Sequence, residues 1–288
     1  MRRTGTFELM DGRRLAWADY GAEGGTPVIA LHGSPGTCLD FAFLGDVATQ
    51  RGVRLVAPDR PGYGYSSFDA ARTYETFARD VGQLADHLGF ERFGVVGHSS
   101  GGPNAAGCAR FLADRLVGCA IVSGVAPPDA RVPKRGMLRS NRVAQRLAWL
   151  APRVTSVAFQ AGLRQGQRRP DKMFDWMMRT LPASDAKVIE RPDVRAALRE
   201  EMTDRLSSTA GRSAVQDLTL ERRPWAFALG DISGPVQVWH GDADRNVLPA
   251  SGSYLARSIP NATLHMVPDQ AHWLYCSHFA DILDSLLT

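Results

Sequence analysis

The sequence predicts an α/β fold: a mostly parallel sheet flanked by helices, interrupted by an inserted block of helices. Three observations predict it. Short, predominantly apolar runs recur at 28–31, 53–57, 93–96, 120–123 and 236–239, with a further strand at 263–267, as strands buried on both faces require. Segments of helical spacing separate them, and that alternation gives parallel strands joined by crossovers. Between about 126 and 225 the rhythm fails, and then it resumes.

Each element follows from its residues. Phe7-Glu-Leu-Met folds over an Asp11-Gly12 turn onto Leu15-Ala-Trp-Ala, giving an opening hairpin within 5–20. The run 28–31 ends in His32-Gly33, and 53–57 ends in Pro58-Asp-Arg-Pro-Gly-Tyr-Gly, a string of loop residues. Phe77, Val81, Leu84, Ala85 and Leu88 share one face of a helix over 74–88. A third strand at 93–96 precedes a helix over 104–112, and the fourth follows at 120–123. The insertion reads as helices punctuated by Pro133, Pro152, Pro170, Pro182, Pro192 and Pro224. After it come a strand at 236–239, a helix at 251–258, a strand at 263–267 and a closing helix at 279–287. The expected division is a sheet domain of residues 1–125 and 226–288 with a helical cap of residues 126–225.

Composition narrows the function classes. At 288 residues, 44% apolar and 22% charged, the chain is globular rather than disordered. Cys38, Cys108, Cys119 and Cys276 fit no zinc spacing, and the surroundings of Cys108 and Cys119 are those of buried thiols. No run reaches signal or membrane-span length, so a soluble, cytoplasmic protein is expected, with no transmembrane segment and no nucleic-acid partner. The net charge of +4 is unevenly placed: residues 126–179 hold 12 Arg or Lys against Asp129, Asp171 and Asp175. That basic segment reads as a solvated helical face, or as a surface for an anionic carrier or lipid.

The strongest signal is Val95-Val96-Gly97-His98-Ser99-Ser100-Gly101-Gly102. A G-x-S-x-G spelling between a buried strand and a helix is a nucleophile elbow, whose sharp bend requires small residues two before and two after the serine. Gly97 and Gly101 satisfy this for Ser99; for Ser100 the first of these positions is His98, which is too large. A serine nucleophile needs a base, and the base needs an orienting carboxylate, in the chain order serine, acid, histidine. Strand 236–239 runs into His240-Gly-Asp-Ala-Asp-Arg, offering Asp242 and Asp244. Strand 263–267 runs into Pro268-Asp-Gln-Ala-His272, and of seven histidines only His272 lies in a loop after the last strand. A metal site at His240, Asp242 and Asp244 lacks a second ligand cluster.

These motifs resemble the α/β-hydrolase superfamily, in its capped branch. The likeness covers most of residues 5–125 and 226–288 and little of the insertion. The resemblance implies that the G-x-x-D spelling from Gly241 places the acid at Asp244, with Asp242 as the fallback. Ala271 stands before His272 where the family usually has glycine. The loop His32-Gly33-Ser34-Pro35-Gly36 is implied to supply the backbone N–H of Ser34 to an oxyanion hole, together with the N–H of Ser100. Haloalkane dehalogenases and epoxide hydrolases of this fold place aspartate at the elbow, where Ser99 stands here. Proline iminopeptidases hold a substrate ammonium with cap carboxylates, which the basic start of this cap argues against.

The reading is therefore a carboxylesterase-like serine hydrolase acting on an acyl ester, thioester or lactone, without metal or organic cofactor. The rivals are a small-molecule receptor on the same frame, a C–C hydrolase or lyase, and an aminopeptidase. The expected pocket residues are His32, His98, Met173, Trp176 and Met177, under a cationic rim. Leu138, Val143, Leu147 and Leu150 form a loose apolar stripe beside Arg139, Arg142 and Arg146, read as helix packing or as a face for lipid or a partner.

Overall fold

A computed structural model describes residues 3–204 and 207–288. Eight strands form one sheet: β1 (Arg3–Glu8), β2 (Arg14–Gly21), β3 (Thr26–Leu31), β4 (Val53–Pro58), β5 (Phe93–His98), β6 (Leu116–Val122), β7 (Val236–Gly241) and β8 (Ala262–Val267). Their spatial order is β1-β2-β4-β3-β5-β6-β7-β8. The β1–β2 hairpin turns at Gly12, whose φ of 81° is open to glycine without cost. β2 also pairs antiparallel with β4, and every later pairing is parallel.

The central strands are buried on both sides because helices cover both faces. Ile29, Leu31, Val95 and Ile121 pack with α2 (Tyr74–His87), α3 (Gly101–Phe111) and α10 (Pro249–Ser258). Val28, Ala30, Ala120 and Val122 pack with α1 (Gly45–Gln50), the 3₁₀ turn Cys38–Leu44 and α11 (Tyr275–Leu286). Alternation of side chains along each strand divides the core into these two layers. The four cysteines are buried. Cys119 is pushed up to about 12 by burial, so it packs as an inert thiol.

Between β6 and β7 the described residues form helices and no strand: α4 (Arg139–Leu150), α5 (Pro152–Arg168), α6 (Pro170–Thr180), α7 (Ala183–Glu190), α8 (Pro192–Asp204) and α9 (Ala210–Leu220). Proline opens α5, α6 and α8, where its missing N–H costs nothing and its fixed φ suits the first turn. This stretch leaves the sheet at the carboxyl end of β6, the edge where ligands bind in such sheets, and the chain then returns to the amino end of β7, where Val236 pairs with Cys119. Among the described residues, no helix is long and apolar enough to cross a membrane.

Candidate active site

Ser99 sits on the bend between β5 and α3 with φ 55°, a left-handed conformation for a residue with a side chain. Its N–H donates to the Val122 carbonyl at 2.9 Å, and its carbonyl accepts from Gly102 N–H at 2.9 Å. Both flanking glycines are sterically required. A Cβ at Gly97 would lie 2.3 Å from the Gly101 carbonyl oxygen, and one at Gly101 would lie 2.1 Å from that of Leu31.

His272 and Asp244 meet beside this bend. His272 Nδ1 donates to Asp244 Oδ2 at 2.8 Å. The other carboxylate oxygen accepts the N–H groups of Asn246 and Val247 at 2.8 and 3.0 Å. Burial works against ionising Asp244, but the charge and side-chain hydrogen bonds of His272 and His240 hold its carboxyl below the usual range. Burial likewise disfavours the His272 imidazolium, and the charge of Asp244 outweighs it, so its pKa rises above the ordinary value. Asp242 points elsewhere, accepting Asp269 N–H at 2.8 Å. His240 Nε2 donates to the Val247 carbonyl at 2.9 Å and lies 3.4 Å from Asp244. Among the described residues no group of three or more His, Cys, Asp or Glu could hold a metal ion.

Ser99, His272, Ser34 and Ser100 all line a cavity of about 570 Å³, together with Gly33, Asp40, His98, Met173, Phe174, Trp176 and Met177. Of the pocket residues expected from sequence, His98, Met173, Trp176 and Met177 are there and His32 is not. His32 is fully buried under the loop it begins. Its Nε2 accepts the Arg60 N–H at 2.9 Å, which leaves Nδ1 to donate to the Gly33 carbonyl at 2.8 Å. It therefore shapes the loop. His98 has a second duty: its Nε2 donates to the His272 carbonyl at 3.0 Å, and burial pushes its pKa down to about 3, leaving it neutral.

The cationic rim is also corrected. None of the twelve basic residues of 126–179 lines the cavity, and the carboxyl and imidazole groups that do are those of Asp40, Glu201, Glu221, His98 and His272. The arginines sit on the outer surfaces of the inserted helices, because long charged side chains reach water more cheaply than they enter an apolar interior.

Sequence reasoning missed a set of buried carboxylates by which the inserted helices grip the loops of the site. Asp185 accepts the backbone N–H groups of His272 and Trp273 at 3.2 and 2.8 Å. Asp217 accepts both guanidinium nitrogens of the fully buried Arg60 at 2.9 and 3.0 Å, the Tyr63 hydroxyl at 2.6 Å, and Arg72. Arg60 in turn donates to the Gly33 carbonyl at 2.7 Å, and Ser34 Oγ bonds the Tyr63 hydroxyl at 2.8 Å. Glu221 accepts Ser100 Oγ at 2.5 Å, and burial pushes it up to about 7. Glu201 meets Asp40, which burial pushes up to about 6. None of these carries a local spelling.

The family model described as alpha/beta hydrolase fold matches residues 26–279. Over 125 residues the chain is 32% identical to a non-heme chloroperoxidase of Streptomyces lividans, covering 43% of this chain and 45% of that one. The chain spans less than half the length of the curated relatives it matches first. A solved hydrolase from Pseudomonas aeruginosa superposes with a TM-score of 0.70 at 18% identity, over 98% of this chain and 97% of that one. An esterase from Exiguobacterium antarcticum gives 0.68 at 17%, over 97% of each. At these identities the structural likeness speaks to the fold.

Proposed function

The chain belongs to the α/β-hydrolase family, and from that premise we propose that it is a serine hydrolase cleaving a carboxylic ester or close relative through an acyl-enzyme on Ser99. One observation carries the reading: a serine on a strained bend, in a cavity shared with an imidazole that a buried carboxylate orients. Ser99 Oγ attacks the acyl carbon while His272 Nε2 takes its proton. Asp244 fixes the tautomer, with the proton on Nδ1, and stabilises the imidazolium. The N–H groups of Ser34 and Ser100 stabilise the oxyanion, each contributing about 3 kcal/mol where charge develops. His272 then protonates the leaving group and activates water for deacylation. Residues 126–225 act as the cap, and Met173, Phe174 and Met177 line the cavity with adaptable apolar surface suited to a hydrophobic acyl or alcohol part.

The test is labelling by a fluorophosphonate probe together with turnover of aryl esters, in wild type and Ser99→Ala. Labelling and many turnovers in the wild type, lost on the order of 10⁶-fold in the variant, support the reading. Activity retained in Ser99→Ala removes it, and a single turnover per molecule favours a receptor on a hydrolase frame.

A second reading has one observation in its favour. The cavity presents Asp40, Glu201 and Glu221 and no described Arg or Lys, so a substrate carrying an amine next to its ester or amide carbonyl would find carboxyls to pair with. An ammonium bound there would favour their ionised forms. Amino-acid arylamides and esters, run beside neutral esters, separate the two: a preference for the amine-bearing series that Glu201→Gln abolishes assigns the aminopeptidase-like specificity.

A further inference from the structure

Helices α4 and α5 each show two faces. Toward the interior, Asn141, Ala144, Gln145, Phe159, Gly162 and Leu163 line the cavity. Toward solvent stand Val143 (56% exposed), Leu147 (47%), Leu150 (66%), Val154 (70%) and Val157 (71%). A protein that merely needed these helices packed would place such residues inside. Five large aliphatic side chains exposed on two consecutive helices form a patch that calls for an occupant.

Charge identifies the occupant. From residue 130 to 170 the chain carries ten Arg or Lys and no Asp or Glu. Arg139, Arg142 and Arg146 on α4 and Arg153 and Arg164 on α5 are exposed among the aliphatic residues, and none of them lines the cavity, so substrate binding does not account for them. A second copy of the chain fits poorly, since pairing this face with itself sets arginine against arginine with no carboxylate to intervene. Exposed aliphatics interleaved with arginines and free of acids are what an interfacial helix presents to an anionic bilayer: the apolar side chains enter the headgroup boundary while the guanidinium groups pair with lipid phosphates.

We propose that the outer face of α4 and α5 docks the protein on an anionic phospholipid surface. The same helices form one wall of the cavity, so docking sets the site against a source of apolar acyl substrates. The docking itself stands independently of the catalytic reading.

Vesicle co-sedimentation tests it, using phosphatidylcholine alone and phosphatidylcholine with about one quarter phosphatidylglycerol, at low and high salt. The wild type should bind the anionic vesicles at least tenfold more strongly than the neutral ones, and high salt should weaken this. Leu150→Asp/Val154→Asp and Arg142→Glu/Arg146→Glu should each lose tenfold or more with an unchanged melting temperature, and Ser99→Ala should bind like wild type. No preference for anionic vesicles, or equal binding by the Leu150→Asp/Val154→Asp variant, overturns the proposal. So does a stable dimer in sedimentation velocity that this variant abolishes, or saturable binding to a polyacidic peptide that excludes vesicles.

Discussion

At the scale of the residue, the proposed chemistry turns on what Asp244 does to His272. With the partner carboxylate at 2.8 Å, the imidazole holds its proton to a higher pH than a free one. The base must be neutral to act, so kcat/KM for an ester should rise with pH through a value above the ordinary histidine pKa and then level off. Replacing Asp244 by Asn removes the charge that raises that value. The acidic limb should then move to lower pH, while kcat falls on the order of 10⁴-fold because the tautomer is no longer enforced. A pH–rate profile of Asp244→Asn with an unmoved limb would show that another group titrates.

The sequence made these residues legible through strictly local rules. Ser99 is identified by the steric needs of its own bend, and Asp244 and His272 by loops that follow strands of obvious apolar character. His32 lies outside the cavity although its neighbours in sequence line it, because its ring turns beneath them. Glu201 stands beside Glu200 in a polar run, and nothing in the order of residues marks which of the two faces a cavity. Asp185 sits in the first turn of a helix, where the dipole alone would favour an acid. Its service to the His272 loop depends on tertiary packing, which sequence order does not carry.

At the scale of the element, β5, the bend and α3 form one unit whose geometry leaves no room at its two glycines. A Cβ at Gly97 would meet both the Gly101 carbonyl and, at 2.7 Å, the Ala105 Cβ. All are parts of α3 that cannot swing aside as a long side chain can. Gly97→Ala should therefore push α3 away from the strand, costing about 1–3 kcal/mol in chemical denaturation and reducing fluorophosphonate labelling out of proportion to that loss. An unchanged denaturation midpoint with full labelling would mean that the bend has slack. The strands and α2 were readable from period and composition. The turn Cys38–Leu44 and α1 were not, because Cys38-Leu-Asp-Phe-Ala-Phe-Leu44 is apolar nearly throughout and shows no helical period.

At the scale of the whole molecule, the inserted stretch turns its most basic helices to solvent and four of its carboxylates inward. The arginines of α4 and α5 face outward, while Asp185, Glu201, Asp217 and Glu221 face the loops that carry the site. Asp217 is balanced by two buried guanidiniums, and its carboxyl is held below the usual range. Among the described residues no guanidinium forms an ion pair with Glu221 or Asp40, and burial, outweighing the more distant charge of Arg60, raises them to about 7 and about 6. The folded chain thus keeps protons that the unfolded chain has released, so these carboxyls make folding progressively less favourable as pH climbs from about 4 toward 7. The buried neutral His32 and His98 act in the opposite sense over that range, since the unfolded chain takes up protons there that the folded one refuses. Comparison with a variant isolates one group from this sum. Glu221→Gln still accepts the Ser100 hydroxyl but has no proton to lose. Its unfolding free energy relative to wild type should shift in the variant's favour between pH 4 and pH 7, by an amount on the order of a few kcal/mol, and stay constant above that. Denaturation curves of the two proteins measured across this range give the difference directly, and a difference independent of pH would place an ionised Glu221 in the folded protein and remove the proton from that contact.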